Sequence, residues 1–200
     1  MSGSASSLDM EVDAVLGARL TSLLEEGRTI WSRFDSDVRQ QQFHPFMPSD
    51  YERVLRALLS LRRPGLRFLE WGSATGVITI MADLLGFEAY GIEIDAELVA
   101  TARDLAERSE SDARFAVGSF LPDGYEWKPD SGDGRLGTIG RGASGYPELG
   151  RGLEDFDLVF AFPWEGETPI MHDLMQRRAG SGASLLLYHS KEGIQVYRRE

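Results

Sequence analysis

The chain has 200 residues, 21 of them basic and 32 acidic, for a formal net charge of −11. With 42% hydrophobic and 26% charged residues it has the composition of one ordinary globular domain, which excludes global disorder and leaves little room for a second full domain. There is no cysteine, so disulfides, thiolate nucleophiles and cysteine metal sites are excluded; only carboxylates and His44, His172 and His189 remain, and no metal site is expected.

Residues 1–7 read as a flexible tail with neither the basic nor the apolar region of a targeting signal. The most apolar stretch, Val77 to Leu85, is interrupted by Asp83, so no membrane contact is expected and the protein is read as cytoplasmic. From Leu8 to Leu24, the residues Val12, Val15, Leu16, Leu20, Leu23 and Leu24 recur as one helix face, with Gly27 as the stop. An aromatic, polar connection carrying Trp31 and Phe34 follows, then Gln40 to Pro48, where Pro45 and Pro48 forbid regular helix. Ser49 and Glu52 have capping-box spacing and predict a second helix starting at Ser49, with Tyr51, Val54, Leu55, Leu58 and Leu59 as its stripe.

From Pro64 short apolar runs alternate with helical stretches, the pattern of a parallel α/β sheet. Strands are predicted at Arg67 to Glu70, Ala89 to Ile94, Arg114 to Val117, Asp157 to Phe162 and Ser184 to His189. Helices are predicted at Val77 to Leu85, at Ala96 to Arg108 with Asp95 as N-cap, and at Ile170 to Arg178 behind Thr168 and Pro169. Ser190 to Gly193 reads as a hairpin turn into a last strand, Ile194 to Arg198, which adds an antiparallel strand to a parallel sheet. Between Asp130 and Gly152 eight glycines recur with few large apolar residues, predicting a long irregular loop. The expected organisation is thus a tail (1–7), a helical segment with its lead-in (8–63) and a doubly wound, mostly parallel α/β domain (64–200).

The most informative stretch runs from Arg67 to Ile80. A buried strand ends at Glu70, a turn containing Gly72 and Gly76 follows, and a helix starts at once. Glycines there let a ligand approach the backbone, and the helix N-terminus offers it unpaired N–H groups. In doubly wound sheets ligands sit at the strand C-termini. The second strand ends in Gly91-Ile-Glu-Ile-Asp95, so that Glu93 can accept both hydroxyls of a ribose. A dinucleotide turn wants Gly-x-Gly-x-x-Gly, but the middle position is Ala74, and Glu70 would repel a diphosphate. The same acid suits a ligand carrying an ammonium and a sulfonium, which favours S-adenosylmethionine.

Glu70-Trp-Gly-Ser-Ala-Thr-Gly76 and Gly91-Ile-Glu-Ile-Asp95 resemble the first two motifs of the class I S-adenosylmethionine-dependent methyltransferases. The resemblance spans roughly Pro64 to Arg199 and is similar also to a set of small uncharacterised bacterial methyltransferases with Phe-His-Pro, Phe-Leu-Glu-Trp-Gly and Phe-Pro-Trp segments. It implies that Glu70, Gly72, Ser73, Ala74 and Gly76 surround the methionine part of the cofactor, that Glu93 binds the ribose, and that Ile94 flanks the adenine. Ser119 and Phe120 fall where the family has its adenine-side residues, with Ser119 in place of the usual Asp. Phe162-Pro-Trp-Glu165 is similar to the aromatic-rimmed motif that amino-group methyltransferases place beside the methyl donor, although Ala161 stands where those enzymes carry a hydrogen-bonding side chain. The resemblance implies catalytic positions at Phe162, Pro163, Trp164 and Glu165. Phe43 to Asp50 looks like the lead-in of small lysine methyltransferases, which implies that it covers the methionine end of the cofactor; acceptor contacts are expected at His44 and Phe46 of this segment and at Trp164 of the corner. The expected activity is methyl transfer to an unidentified acceptor, a protein amine or a small molecule. Nucleic acid is disfavoured by the acidic balance and the scattering of Arg residues. Two other readings stay open: a module that binds the cofactor without catalysis, and an NAD-dependent oxidoreductase on the same fold, against which Ala74, Glu70 and the lack of a Tyr-x-x-x-Lys pair count.

Overall fold

The computed structural model describes residues 12–63, 65–126 and 142–200. The expected tail (1–7) and residues 130–141 of the expected glycine-rich loop lie outside the described residues. Helix α1 (Ala14–Phe34) is capped by Asp13, whose side chain accepts the Leu16 N–H, and continues into one π-helical turn at Asp35–Arg39. It therefore runs through Gly27, where a stop was expected. Gly27 is buried, and a Cβ there would meet Val77 Cγ2 at 2.7 Å, so this glycine allows close approach of the next layer rather than ending the helix. Trp31 and Phe34, expected in a connection, sit on α1 instead and meet the ring of Phe46. Helix α2 (Tyr51–Leu61) starts two residues later than expected, because Asp50 rather than Ser49 accepts the N-terminal amide, that of Arg53.

The remaining elements are β1 (Arg67–Trp71), α3 (Val77–Leu84), β2 (Glu88–Glu93), α4 (Ala96–Arg108), β3 (Arg114–Val117), α5 (Tyr146–Leu149), β4 (Leu158–Ala161), α6 (Thr168–Arg178), β5 (Ser184–His189) and β6 (Gly193–Arg198). The single turn α5 and the 3₁₀ turn Leu153–Asp155 interrupt and follow the stretch expected to be irregular up to Gly152. Tyr146 anchors α5: it is buried, and its hydroxyl accepts the Trp71 Nε1–H at 2.9 Å.

The strands form one sheet in the order β3-β2-β1-β4-β5-β6. Neighbours are parallel except β5 and β6, as the hairpin pattern predicts. Side chains alternate across the sheet and build two cores. Phe68, Leu158, Phe160, Leu186 and Tyr188 face α1, α2, α3 and α4, whereas Leu69, Trp71, Val159, Leu185 and Leu187 face α6. Helix α3 is sandwiched between sheet and α1, which is why Val77 through Ala82 are all buried and its sequence is mostly apolar. The chain winds from β1 outward through β2 to β3, then crosses to the other side for β4 and β5. The C-terminal ends of β1 and β4 thus flank the crevice where the winding reverses, the place at which such sheets take their ligands.

Candidate functional site

A cavity of about 470 Å³ opens at that crevice, within the range of small-molecule sites. It is walled by the turn after β1, the ends of β2 and β3, the segment after β4 and the extended His44–Ser49 lead-in. The five-residue turn Gly72 to Gly76 holds three residues in the left-handed region: Gly72 (φ 71), Ala74 (φ 45) and Gly76 (φ 77). Ala74 takes the conformation a glycine would, so its methyl does not reshape the loop; its N–H donates to Glu93 Oε2 at 2.9 Å, which offsets a strain of about 1–2 kcal/mol. The other Glu93 oxygen accepts the Asp95 N–H at 3.0 Å. Removal from water raises the Glu93 pKa, and the amides of Asp95, Ala74 and Ile94 pull it back. Gly91 lets the turn lie on β2, since a Cβ there would meet Ser73 Oγ at 2.7 Å. Ser73 Oγ is itself buried, with no hydrogen-bond partner among the described residues.

Glu70 is 5% exposed at the floor of the cavity, and its Oε2 accepts both the Thr79 N–H (3.0 Å) and the Thr79 hydroxyl (2.5 Å) in the first turn of α3. Burial pushes its pKa up to about 8; the two Thr79 bonds oppose this and the Glu93 charge adds to it. A folded-state pKa above the unfolded value means the native state binds more protons, so stability falls as pH rises from about 4.5 to about 8. Denaturant melts of the ligand-free protein should lose stability through that window, by at most about 1.4 kcal/mol per pH unit from this one group. Glu70→Gln should flatten the profile, leaving the slope due to Glu93; an unchanged profile would show that Glu70 ionises normally.

Of the residues singled out in the sequence, the structure brings His44, Phe46, Glu70, Gly72, Ser73, Ala74, Glu93, Ile94, Ser119, Phe120, Phe162, Pro163, Trp164 and Glu165 to this one cavity. Gly76 does not line it. A Cβ at Gly76 would meet the Phe115 ring at 2.7 Å and Ala102 Cβ at 2.8 Å, so that glycine serves helix packing and the tight turn. Ala161, entirely buried, faces the α6 core and presents nothing to the cavity. Phe162 packs edge-on against Tyr188, and the Trp164 N–H donates to Glu167 Oε2 at 2.8 Å, fixing the corner after β4. Across the mouth Trp164 meets Phe43 from the lead-in, with ring centroids 6.4 Å apart.

His44 anchors the lead-in. Its Nδ1 accepts the Phe46 N–H at 3.1 Å, so the ring proton sits on Nε2, which lies 3.3 Å from Asp95 Oδ2. Sequence reasoning missed Asp95 as that partner, 51 residues away, and also missed Tyr51 and Ser190 in the wall. Tyr51 was legible only as part of the helix stripe. Nothing in the sequence marks Ser190 beyond its hairpin turn.

The strand order, the glycine turn at the reversal of winding and the carboxylate at the end of β2 define the class I methyltransferase fold. The RNA methyltransferase of Salinibacter ruber, solved with S-adenosyl-L-homocysteine, superposes with a TM-score of 0.51 at 17% identity, over 76% of this chain and 92% of that one. Two curated relatives, both ribosomal protein L11 methyltransferases, match shorter stretches. That of Thermus thermophilus is 38% identical over 67 residues, 34% of this chain, and that of Ralstonia pickettii 39% over 62 residues, 30% of this chain. The matched stretches span 26% and 21% of those relatives' own lengths. No family model matches the chain. Among the described residues no helix is long and apolar enough to cross a membrane, and no three potential metal ligands cluster.

Proposed function

We propose that the protein is an S-adenosylmethionine-dependent methyltransferase acting on an amine of a protein or small molecule. The observation that carries this reading is the cavity itself, in which a glycine turn at a helix N-terminus and the strand-end Glu93 face one volume with Glu70. The residues present fit the cofactor: Ser73 Oγ is buried without a partner among the described residues, and two carboxylates withdrawn from water suit ribose hydroxyls and a cationic amino-acid end. Glu93 binds the ribose, Ile94 and Phe120 flank the base with Ser119 beside them, and Glu70, Gly72, Ser73 and Ala74 hold the methionine part. When bound, the cofactor supplies a methyl group already activated on a sulfonium.

The chain's own work is to hold the acceptor in line and keep water away. Phe162, Pro163 and Trp164 form the rigid corner beside the acceptor, and the faces of Trp164 and Phe43 attract a cationic amine. Phe46 and His44 hold the lead-in that closes this side, and Glu165, exposed at the mouth, takes the proton released by the amine. A protein acceptor is favoured by the relatives, which are named for the methylation of ribosomal protein L11.

The test is transfer of a labelled methyl group from S-adenosylmethionine into separate pools of ribosomal proteins, small amines and RNA. Label in the protein or amine pool is expected. Label in RNA alone would overturn the acceptor class. Donor binding without transfer to any pool is what a non-catalytic module would give, and would overturn the enzymatic reading.

A further inference from the structure

We propose that the protein forms a symmetric dimer by pairing the edge strand β6 of one copy antiparallel with β6 of a second, joining two sheets into one. The two edges of the sheet are treated differently. At β3 the outer groups are closed off by side chains: Arg103 Nη2 donates to the Phe115 carbonyl at 2.7 Å, and the Val117 N–H donates to Glu148 Oε2 at 3.1 Å. At β6 the Arg199 N–H donates to the Ala183 carbonyl at 2.8 Å, which sets the alternation along the strand. Gly193, Gln195 and Tyr197 bond to β5, and the backbone N–H and C=O of Ile194, Val196 and Arg198 face outward. Val196 is 52% and Tyr197 38% exposed, an apolar edge of the kind that recruits another strand.

The occupant is identified by the strand's complementarity to itself. Placing Gln195 of one copy opposite Gln195 of the other pairs each Ile194 with the other copy's Val196 through their outward backbone groups, which no other described residue engages. Both side chains lie on the face of Leu186 and Tyr188, so the aliphatic contact extends the core that β5 already builds. The same register sets Glu192 opposite Arg198 at both ends and Gly193 under Tyr197, joining opposite charges and putting the ring where no side chain stands. Neighbouring registers lose this; pairing Val196 with Val196 sets Glu192 against Glu200.

Sedimentation velocity of the full chain at up to about 100 μM should give a species of twice the 22.2 kDa chain mass. Glu192→Arg and Arg198→Glu should each weaken the dimer about thirtyfold, since each puts like charges at both ends, and the double variant should restore it. Val196→Pro removes an N–H that β5 does not use, so it should yield a folded monomer, with unchanged circular dichroism as the check. A monomer at every concentration would overturn the proposal and leave the edge to a strand of a different protein. A dimer indifferent to the charge swaps and to Val196→Pro would overturn it as well.

Discussion

Glu93→Ala is expected to weaken S-adenosylmethionine binding by about 1.5 to 3 kcal/mol, roughly 10- to 150-fold, the range for hydrogen bonds to a charged acceptor. The structure gives the carboxylate two tasks. It faces the cavity, and it holds the turn by accepting the N–H of Ala74 and that of Asp95. Removing it frees Ala74 from the left-handed conformation it holds at φ 45, so the loop loses shape together with the ligand's acceptor. Glu93→Gln separates these effects: its one carbonyl oxygen can keep the Ala74 bond, while the amide cannot replace the second acceptor. Calorimetric titration of both variants is the check, with thermal melts confirming the fold. Unchanged affinity in a folded Glu93→Ala protein would remove Glu93 from the site.

The second large effect is on stability. Gly76→Val should destabilise the protein by about 2 to 5 kcal/mol, because the left-handed backbone costs a β-branched residue about 1–2 kcal/mol and overpacking adds about 1–3 more. Here the Cβ would press on the Phe115 ring and on Ala102, joining α3, α4 and β3, with no flexible side-chain end to give way. Urea unfolding measures it; a loss below about 1 kcal/mol would mean that the turn rearranges freely.

Both predictions rest on glycines and acids whose neighbours lie far apart in sequence, and that is where sequence reading ended. Where the signal is local it served well: β3, β5 and α4 have the predicted bounds because alternation, helical spacing and the Asp95 cap need only nearby residues. The first motif and Glu93 were legible because a strand, a glycine turn and a helix stand in immediate succession. Gly27 was misassigned, and the packing task of Gly76 went unread, for one reason, that a glycine which ends a helix or admits a ligand looks the same in sequence as one that lets two elements touch. Gly27 touches Val77, and Gly76 touches Phe115. Likewise Ser49 and Asp50 are both good caps, and only the backbone decides between them. The lead-in was recognised as a tract without regular structure, but its anchoring by His44 to Asp95 and its ring contact with Trp164 depend on tertiary packing that no local pattern encodes.

The central claim is that the cavity at the reversal of winding takes S-adenosylmethionine. Calorimetric titration of the purified chain with S-adenosylmethionine, S-adenosylhomocysteine and NAD in parallel tests it most directly. Saturable one-to-one binding of the first two, with none of NAD, is the predicted result. Binding of NAD alone, or of none of the three, would contradict it.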